Sequence, residues 1–256
     1  MKIATWNVNS VNARLPNVIQ WLGQAQPDVV VLQEIKCPDE NFPVLDLKAA
    51  GYESAVHGQK SYNGVAILSR LPMTDIRRGL PGDDDDAQAR WIEAEIGGVR
   101  IASLYLPNGN PAPGDKFDYK LAWMERLIAH ARSLLTTEMP VVLAGDYNIC
   151  PNDDDVFDPI GWQNDALCRP ESRARFRRLL NLGYTEAYRA LHPAAKKAWT
   201  FWDYQAGAWP RDLGLRIDHL LLSPEAADRL SACRIDREPR GQEKASDHTP
   251  IWISLS

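Results

Sequence analysis

The chain has 256 residues, 45% of them hydrophobic and 25% charged, with a formal net charge of −5. That is ordinary globular composition, long enough to bury a substantial core as one large domain or two small ones. It excludes a membrane span, because no apolar run approaches ~20 residues, and it argues against a passive nucleic-acid coat protein.

An enzyme that grips a divalent metal with carboxylates and meets phosphates through local basic patches stays open. Basic residues gather in RPESRARFRRLL at 169–180 and at Arg234, Arg237, Arg240 and Lys244. Acidic ones gather at Asp83–Asp86 and Asp153–Asp155, and such runs read as solvated loops. The start, MKIATWNVNS, lacks the apolar stretch and cleavage site of a secretory signal, so a cytoplasmic protein is expected. Cys37, Cys150, Cys168 and Cys233 form no CxxC pair. Free buried thiols in a reducing compartment are expected, not a zinc site.

In chain order, short β-branched or apolar runs recur: KIATW, DVVVL, GVAILS, RWIEAEI, VRIASLYL, PVVLAG, LRIDHLLLS, CRIDRE and PIWISL. Several are continuously apolar, as strands buried on both faces are. WIEAEI alternates, which predicts a more exposed strand. Between the first two runs, Leu15, Val18, Ile19 and Leu22 fall at helical spacing and give one apolar stripe. Residues 116–135 predict the longest helix, with Phe117, Leu121, Met124, Leu127, Ile128 and Leu135 buried and His130 at its surface or boundary. A third helix over about 171–182 should stop at Gly183. No linker or repeat divides the chain, so a single domain over 1–256 is expected. Strands outnumber helices, which predicts a layered α/β sandwich with sheets packed together and helices outside. Periodicity does not supply the strand order.

The informative pattern lies in the residues at the end of each strand. KIATW leads to Asn7, DVVVLQ to Glu34, and IASLYLPN carries Tyr105 and Asn108. VVLAG leads to Asp146 and Asn148. Asp218 lies inside an apolar run, and Asp247 and His248 precede the last strand in SDHTP. Each has a bland alternative: turn caps for Asn7 and Asn148, core for Tyr105, a pair with Lys36 for Glu34, a turn for Asp146. In the closing motif, Ser and Asp favour turns, and Pro250 suits the first position of an edge strand. Asp218 resists that treatment, since burying a carboxylate without a partner is costly. Polar groups at so many successive strand ends favour convergence on one cleft, where α/β sheets place their sites.

Those residue types suit metal-assisted phosphodiester hydrolysis. Mg²⁺ prefers oxygen ligands and retains waters, so Glu34, Asp247 and the Asn7 amide suffice to hold it. Asp146 is placed to take a proton from the attacking water while Asn148 orients it. Asp218 and His248 make an imidazole–carboxylate pair beside a phosphate. Tyr105 and Asn108 can donate hydrogen bonds to developing charge.

Taken together, TWNVNSVNAR, LQEIK, GQKSYNGVAILSR, LYLPNG, GDYNI, GLRIDHLLLS and SDHTPI resemble the exonuclease III family of abasic-site endonucleases. The match runs from Lys2 to the last strand. The resemblance implies a DNase I-like fold, a four-layer α/β sandwich of two packed mixed sheets flanked by helices. It also implies cleavage 5′ to abasic sites with 3′–5′ exonuclease and 3′-end-cleaning activity. The cofactor would be Mg²⁺, with Mn²⁺ as a substitute. The partner would be double-stranded DNA carrying abasic sites or blocked 3′ ends, met by a monomer with no membrane contact. On this resemblance Asn7, Glu34 and Asp247 are metal-site positions, and Tyr105, Asp146, Asn148, Asp218 and His248 catalytic ones. Tyr62 matches a position that contacts the DNA backbone. Phe201, Leu215 and Ile217 match positions lining a pocket for the flipped-out sugar. Two departures stand out. Asn9 replaces an acid of animal relatives, which leaves a second metal site open, and Leu215 stands where they carry tryptophan. The loop NGNPAPGDK also differs.

Two other readings compete. Inositol-phosphate phosphatases and lipid phosphodiesterases of the same superfamily share the carboxylate-rich site. A catalytically silent DNA-binding relative would share the fold, but binding alone needs neither Asp146 nor His248. No GxSxG motif suggests a metal-free hydrolase.

Overall fold

The computed structural model describes residues 1–256. Its strands are β1 (Lys2–Asn7), β2 (Val29–Gln33), β3 (Glu53–His57), β4 (Val65–Ser69), β5 (Met73–Arg78), β6 (Trp91–Ile96), β7 (Val99–Tyr105), β8 (Val141–Asp146), β9 (Thr185–Glu186), β10 (Asp218–Leu222), β11 (Leu230–Ile235) and β12 (Ile251–Leu255). The helices are α1 (Leu15–Ala25), α2 (Val44–Ala49), α3 (Asp115–Leu135), α4 (Pro159–Trp162), α5 (Pro170–Asn181), α6 (Ala187–Leu191) and α7 (Pro224–Ala227).

The strands form two six-stranded sheets, ordered β11-β12-β1-β2-β4-β3 and β5-β6-β7-β8-β10-β9. Each contains one parallel pair, β1 with β2 and β7 with β8. A parallel pair needs a long crossover, and α1 and α3 supply one each. Gly145 permits the second pair: a Cβ there would lie 1.9 Å from the Leu104 carbonyl oxygen.

Alternation along the strands builds the layers. Ile3, Val29, Val31, Ile67, Ile101, Val142, Leu220 and Ile251 meet in one cluster between the sheets. The opposite faces carry helices. Val18, Trp21 and Leu22 of α1 pack on Ala4, Trp6, Val30 and Leu32. Trp123 and Leu127 of α3, with Phe176 and Leu179 of α5, pack on Leu104, Val141 and Leu143. The result is the expected helix–sheet–sheet–helix sandwich, a DNase I-like architecture.

The same alternation aims the strand ends. Asn7 continues the inward parity of Ile3 and Thr5, Asp146 that of Val142 and Ala144, and Tyr105 that of Val99 and Ile101. Asp218 shares parity with Leu220 and Leu222. Tyr105 pairs in register with Asp146, Asp146 with Asp218, and Asn7 with Gln33 just before Glu34. Both sheets therefore present these groups at one end, in the mouth between them.

Several expectations need correction. WIEAEI is not an exposed strand, because α3 lies over it. Glu93 is 1% exposed and bonds His130 Nε2 at 2.8 Å and Trp91 Nε1 at 3.2 Å. Nor is β12 an edge strand: it lies between β11 and β1, and Pro250 only precedes it. The acidic run at 153–155 is not wholly solvated, since Asp155 is buried against Arg216 and Arg189. LRIDHLLLS becomes a strand only from Asp218. The strands β3 and β5 and the helix α2 were not predicted by pattern; β5 is MTDIRR, mostly exposed at a sheet edge. The long helix and α5 match within a residue or so, and the four cysteines are free and buried.

Candidate active site

The chain leaves its strands sharply at this mouth. Glu34 (φ 49°) and Asn148 (φ 48°) adopt left-handed backbone conformations, which non-glycine residues visit at a cost and which concentrate at functional sites.

A connected polar network fills the mouth. The Asn7 side-chain nitrogen donates to Glu34 Oε1 at 2.9 Å and to Asp146 Oδ2 at 3.0 Å. Lys36 Nζ lies 2.9 Å from Glu34 Oε2. The other Asp146 oxygen accepts the Asn148 backbone N–H at 2.8 Å. His248 pairs Nδ1 with Asp218 Oδ2 at 2.9 Å, and its Nε2 lies 3.7 Å from Asp146 Oδ2. The second Asp218 oxygen is buried with no partner. Phe201 meets the imidazole edge-on, ring centroids 4.9 Å apart.

The electrostatics set these groups apart. Burial pushes Asp146 up to about 7, against the opposing pull of His248. Burial alone would lower His248, but the carboxylates of Asp218 and Asp146 override it and raise it to about 10. Burial, then the Glu34 and Asp146 charges, raise Tyr105 well above its ordinary value, so it stays a neutral phenol. Glu34 ends below its ordinary value: burial opposes ionisation, but Lys36 and Asn7 outweigh it. The site thus favours an imidazolium and a neutral phenol donor, and burial holds Asp146 above the ordinary carboxylate range.

The sequence matches a family model described as Endonuclease/Exonuclease/phosphatase family over residues 4–248. The chain belongs to that family. It is 36% identical to exodeoxyribonuclease III of Haemophilus influenzae, all of both chains being covered. Among solved structures it resembles an AP endonuclease from Archaeoglobus fulgidus, with TM-score 0.96 and 36% identity over 100% of this chain and 99% of that one. It also resembles the 3′ phosphatase NExo (D146N) from Neisseria bound to product DNA hairpin, with TM-score 0.97, 42% identity and the same coverage. Within the family it sits in the exodeoxyribonuclease III branch of DNA-repair nucleases, hydrolases by reaction class.

Family members depend on a divalent metal, and the donor set fits one. Glu34, Asp146 and His248 bring ligand atoms within 4.8 Å of one another. The imidazole is cationic and committed to Asp218, which leaves oxygen donors, the type a hard cation takes. Asn7 is turned differently from the expectation: its nitrogen faces the carboxylates, and its oxygen accepts the Asn9 N–H at 3.0 Å. Asp247 stands at the rim, where its Oδ1 accepts from the Asn9 side chain at 3.2 Å.

Asn108 reaches the site through a 3.1 Å bond to Asn148 Oδ1. Tyr62 is 70% exposed and free to meet a large ligand. Phe201 and Leu215 line an apolar cleft of about 240 Å³ with Phe157, Trp162, Ala208 and Leu213. Ile217 does not line it. It is buried in the cluster beneath, with Cys150 and Ala166. Pattern reasoning missed Phe157 and Trp162, which sit on unpatterned loop and the one-turn α4. It also missed Arg90, whose guanidinium lies 4.8 Å from the Tyr105 ring centroid.

Proposed function

We propose that this chain is a divalent-metal-dependent DNA nuclease that cleaves the phosphodiester 5′ to abasic sites and clears 3′ ends, working as a single catalytic domain over 1–256. Mg²⁺ is the natural cofactor and Mn²⁺ a substitute. The observation that carries this reading is the joining of Asn7, Glu34, Asp146, Asp218 and His248 in one polar mouth beside an apolar cleft, by hydrogen bonds and the 3.7 Å His248–Asp146 ion contact.

The environments assign the roles. Glu34 and Asp247 would hold the metal, which when bound would supply positive charge to the phosphate oxygens. Asp146 takes a proton from water, because burial makes its carboxylate a better base than an exposed one. Asn148 orients that water. His248, kept cationic by Asp218 and Asp146, faces the scissile phosphate, and Tyr105 and Asn108 donate to developing charge. Phe201 and Leu215 receive a sugar without its base, and flipping is easiest where stacking is already lost.

Duplex DNA is the partner, met by a monomer in the cytoplasm. No helix is long and apolar enough to cross a membrane. The test is a gel assay on a duplex with a central abasic analogue, an intact duplex and a 3′-phosphate end, each in Mg²⁺ and in chelator. Abasic incision that needs Mg²⁺ is expected, and turnover of a phosphoinositide instead would sink the reading. A second reading makes 3′-phosphate removal the main activity. It is favoured by the 42% identity to a relative described as a 3′ phosphatase, and a 3′-phosphate arm far outrunning the abasic arm would select it.

A further inference from the structure

Lys120, on α3, is fully buried, although lysine is among the residues least often found inside a protein. No carboxylate pairs with it. Its ammonium donates instead to three main-chain carbonyls: Asn108 at 3.0 Å, Asn148 at 2.6 Å and Ala166 at 3.2 Å. These belong to the loop after β7, the loop after β8 and the segment before α5. The same segments are tied again by side chains. Asn108 bonds Asn148, Asn110 bonds Asp165, and the Ala166 N–H bonds Asn110 Oδ1, each at 3.1 Å. The first loop wraps the lysine stem closely, since a Cβ on Gly109 (φ +89°) would lie 2.6 Å from Lys120 Cδ.

A buried cation is a poor choice for stability alone. Burial opposes the Lys120 charge, with the pull of Asp165 offsetting only part of that cost, and apolar replacements of buried charges are often neutral or stabilising. What the ammonium holds is specific. Asn148 donates its backbone N–H to Asp146 Oδ1 and its side-chain nitrogen to the Leu106 carbonyl at 2.9 Å. That leaves its side-chain oxygen for Asn108. The Lys120–carbonyl bond adds the contact that fixes the main chain of this left-handed residue.

We propose that Lys120 is a positioning residue for phosphodiester cleavage: its ammonium clamps the Asn108 and Asn148 backbones so that both side-chain amides hold one orientation at the cleft. This rests on the proposed nuclease function.

The experiment is a double-mutant cycle on DNA carrying an abasic analogue or a 3′-phosphate, with thermal melts and the Asn148 side-chain amide signal in the ¹⁵N spectrum without DNA. Lys120→Met should lower kcat by about 10²-fold, the scale of a 1 Å misplacement, with little change in KM. Lys120→Met/Asn148→Ala should be no slower than Asn148→Ala, as groups acting as a unit behave. The amide signal should shift or broaden. Losses that multiply, a raised KM at unchanged kcat, or an unmoved amide would overturn the proposal. Should Lys120→Met show no melting transition, Lys120→Gln, which keeps a donor, enters the same cycle. If wild type turns over neither DNA, the amide signal still decides the clamp, so failure of the function and failure of the clamp read differently.

Discussion

Asp146 shows how one residue is made useful at a cost to the fold. Its pKa is raised by burial, so the stability it lends is present below its unfolded value of roughly 3.9 and is lost as pH rises through about 7. Asp146→Asn should therefore melt no lower than wild type at pH 9 in chelator, while turnover falls by ~10²–10⁴ with DNA affinity kept. Melts at two pH values beside single-turnover rates check both halves, and a loss of only a few-fold would move the base elsewhere. His248 and Asp218, 2.9 Å apart, should behave as a unit. Asp218→Ala should slow turnover less than His248→Ala, and the double mutant should equal His248→Ala; a product of the two losses would give Asp218 a separate role. Glu34 belongs to the mouth and not to a core cluster. Glu34→Ala should keep its melting temperature but lose Mn²⁺ affinity by calorimetry, along with activity, and wild-type binding would remove Glu34 from the metal site.

At the scale of elements, the question is whether the Phe201 segment is a pocket wall or plain core. Phe201 bridges to Leu215 and to His248 through isolated backbone pairings, so one short segment links the apolar cleft to the imidazole. It remains partly exposed. Phe201→Ala should cost less than the ~3–5 kcal/mol of a fully buried phenylalanine. The ratio of abasic to intact-duplex incision should drop while 3′-phosphate release changes little. An unchanged ratio with a lowered melting temperature would leave Phe201 as core. Elements also explain what pattern could and could not predict. The α1 stripe and β2, β4, β8 and β10 were legible because their burial repeats at 3.6 residues or is continuous. MTDIRR in β5 was not, because a sheet edge lets a strand stay polar. WIEAEI misled because α3, distant in sequence, covers its polar face.

The whole molecule is pinned beside the site by a buried ion network. Arg216 bonds Asp155 Oδ1 and Glu186 Oε1, both at 2.8 Å, and Arg189 bonds Asp155 at 2.6 Å. These links join the segments holding Asp155, α6 and the approach to β10, hence the position of Asp218. Burial alone would raise Glu186, but Arg216 and His219 outweigh it and lower it to about 2; Asp155 is lowered too, Arg216 again outweighing burial. A depressed carboxylate lends stability that is present above its unfolded value of roughly 4.3 and is lost as pH falls toward about 2. Unfolding tracked by circular dichroism should therefore steepen within that acid window. Arg216→Met, which leaves Glu186 and Asp155 buried without their main partner, should cost ~3–5 kcal/mol at neutral pH, and that deficit should shrink as acid neutralises them. An unchanged stability at neutral pH would mean the network adds no net stability.

Sequence alone determined the identities of the chemical groups and their places at successive strand ends, because apolar runs are local and mark where strands stop. Motif spacing carried the family. Tertiary structure decided what those groups touch. Lys120 sits 28 residues from Asn148, and Arg216 sits 61 from Asp155. No local period encodes such pairs, because they exist only once sheets and helices have packed. The same packing turned the Asn7 amide toward Glu34 and Asp146 and sank Ile217 beneath the cleft. It also raised Asp146 and His248 together, although burial by itself raises an acid and lowers an imidazole. The ring rose against its burial because two carboxylates from separate strands lie within its reach.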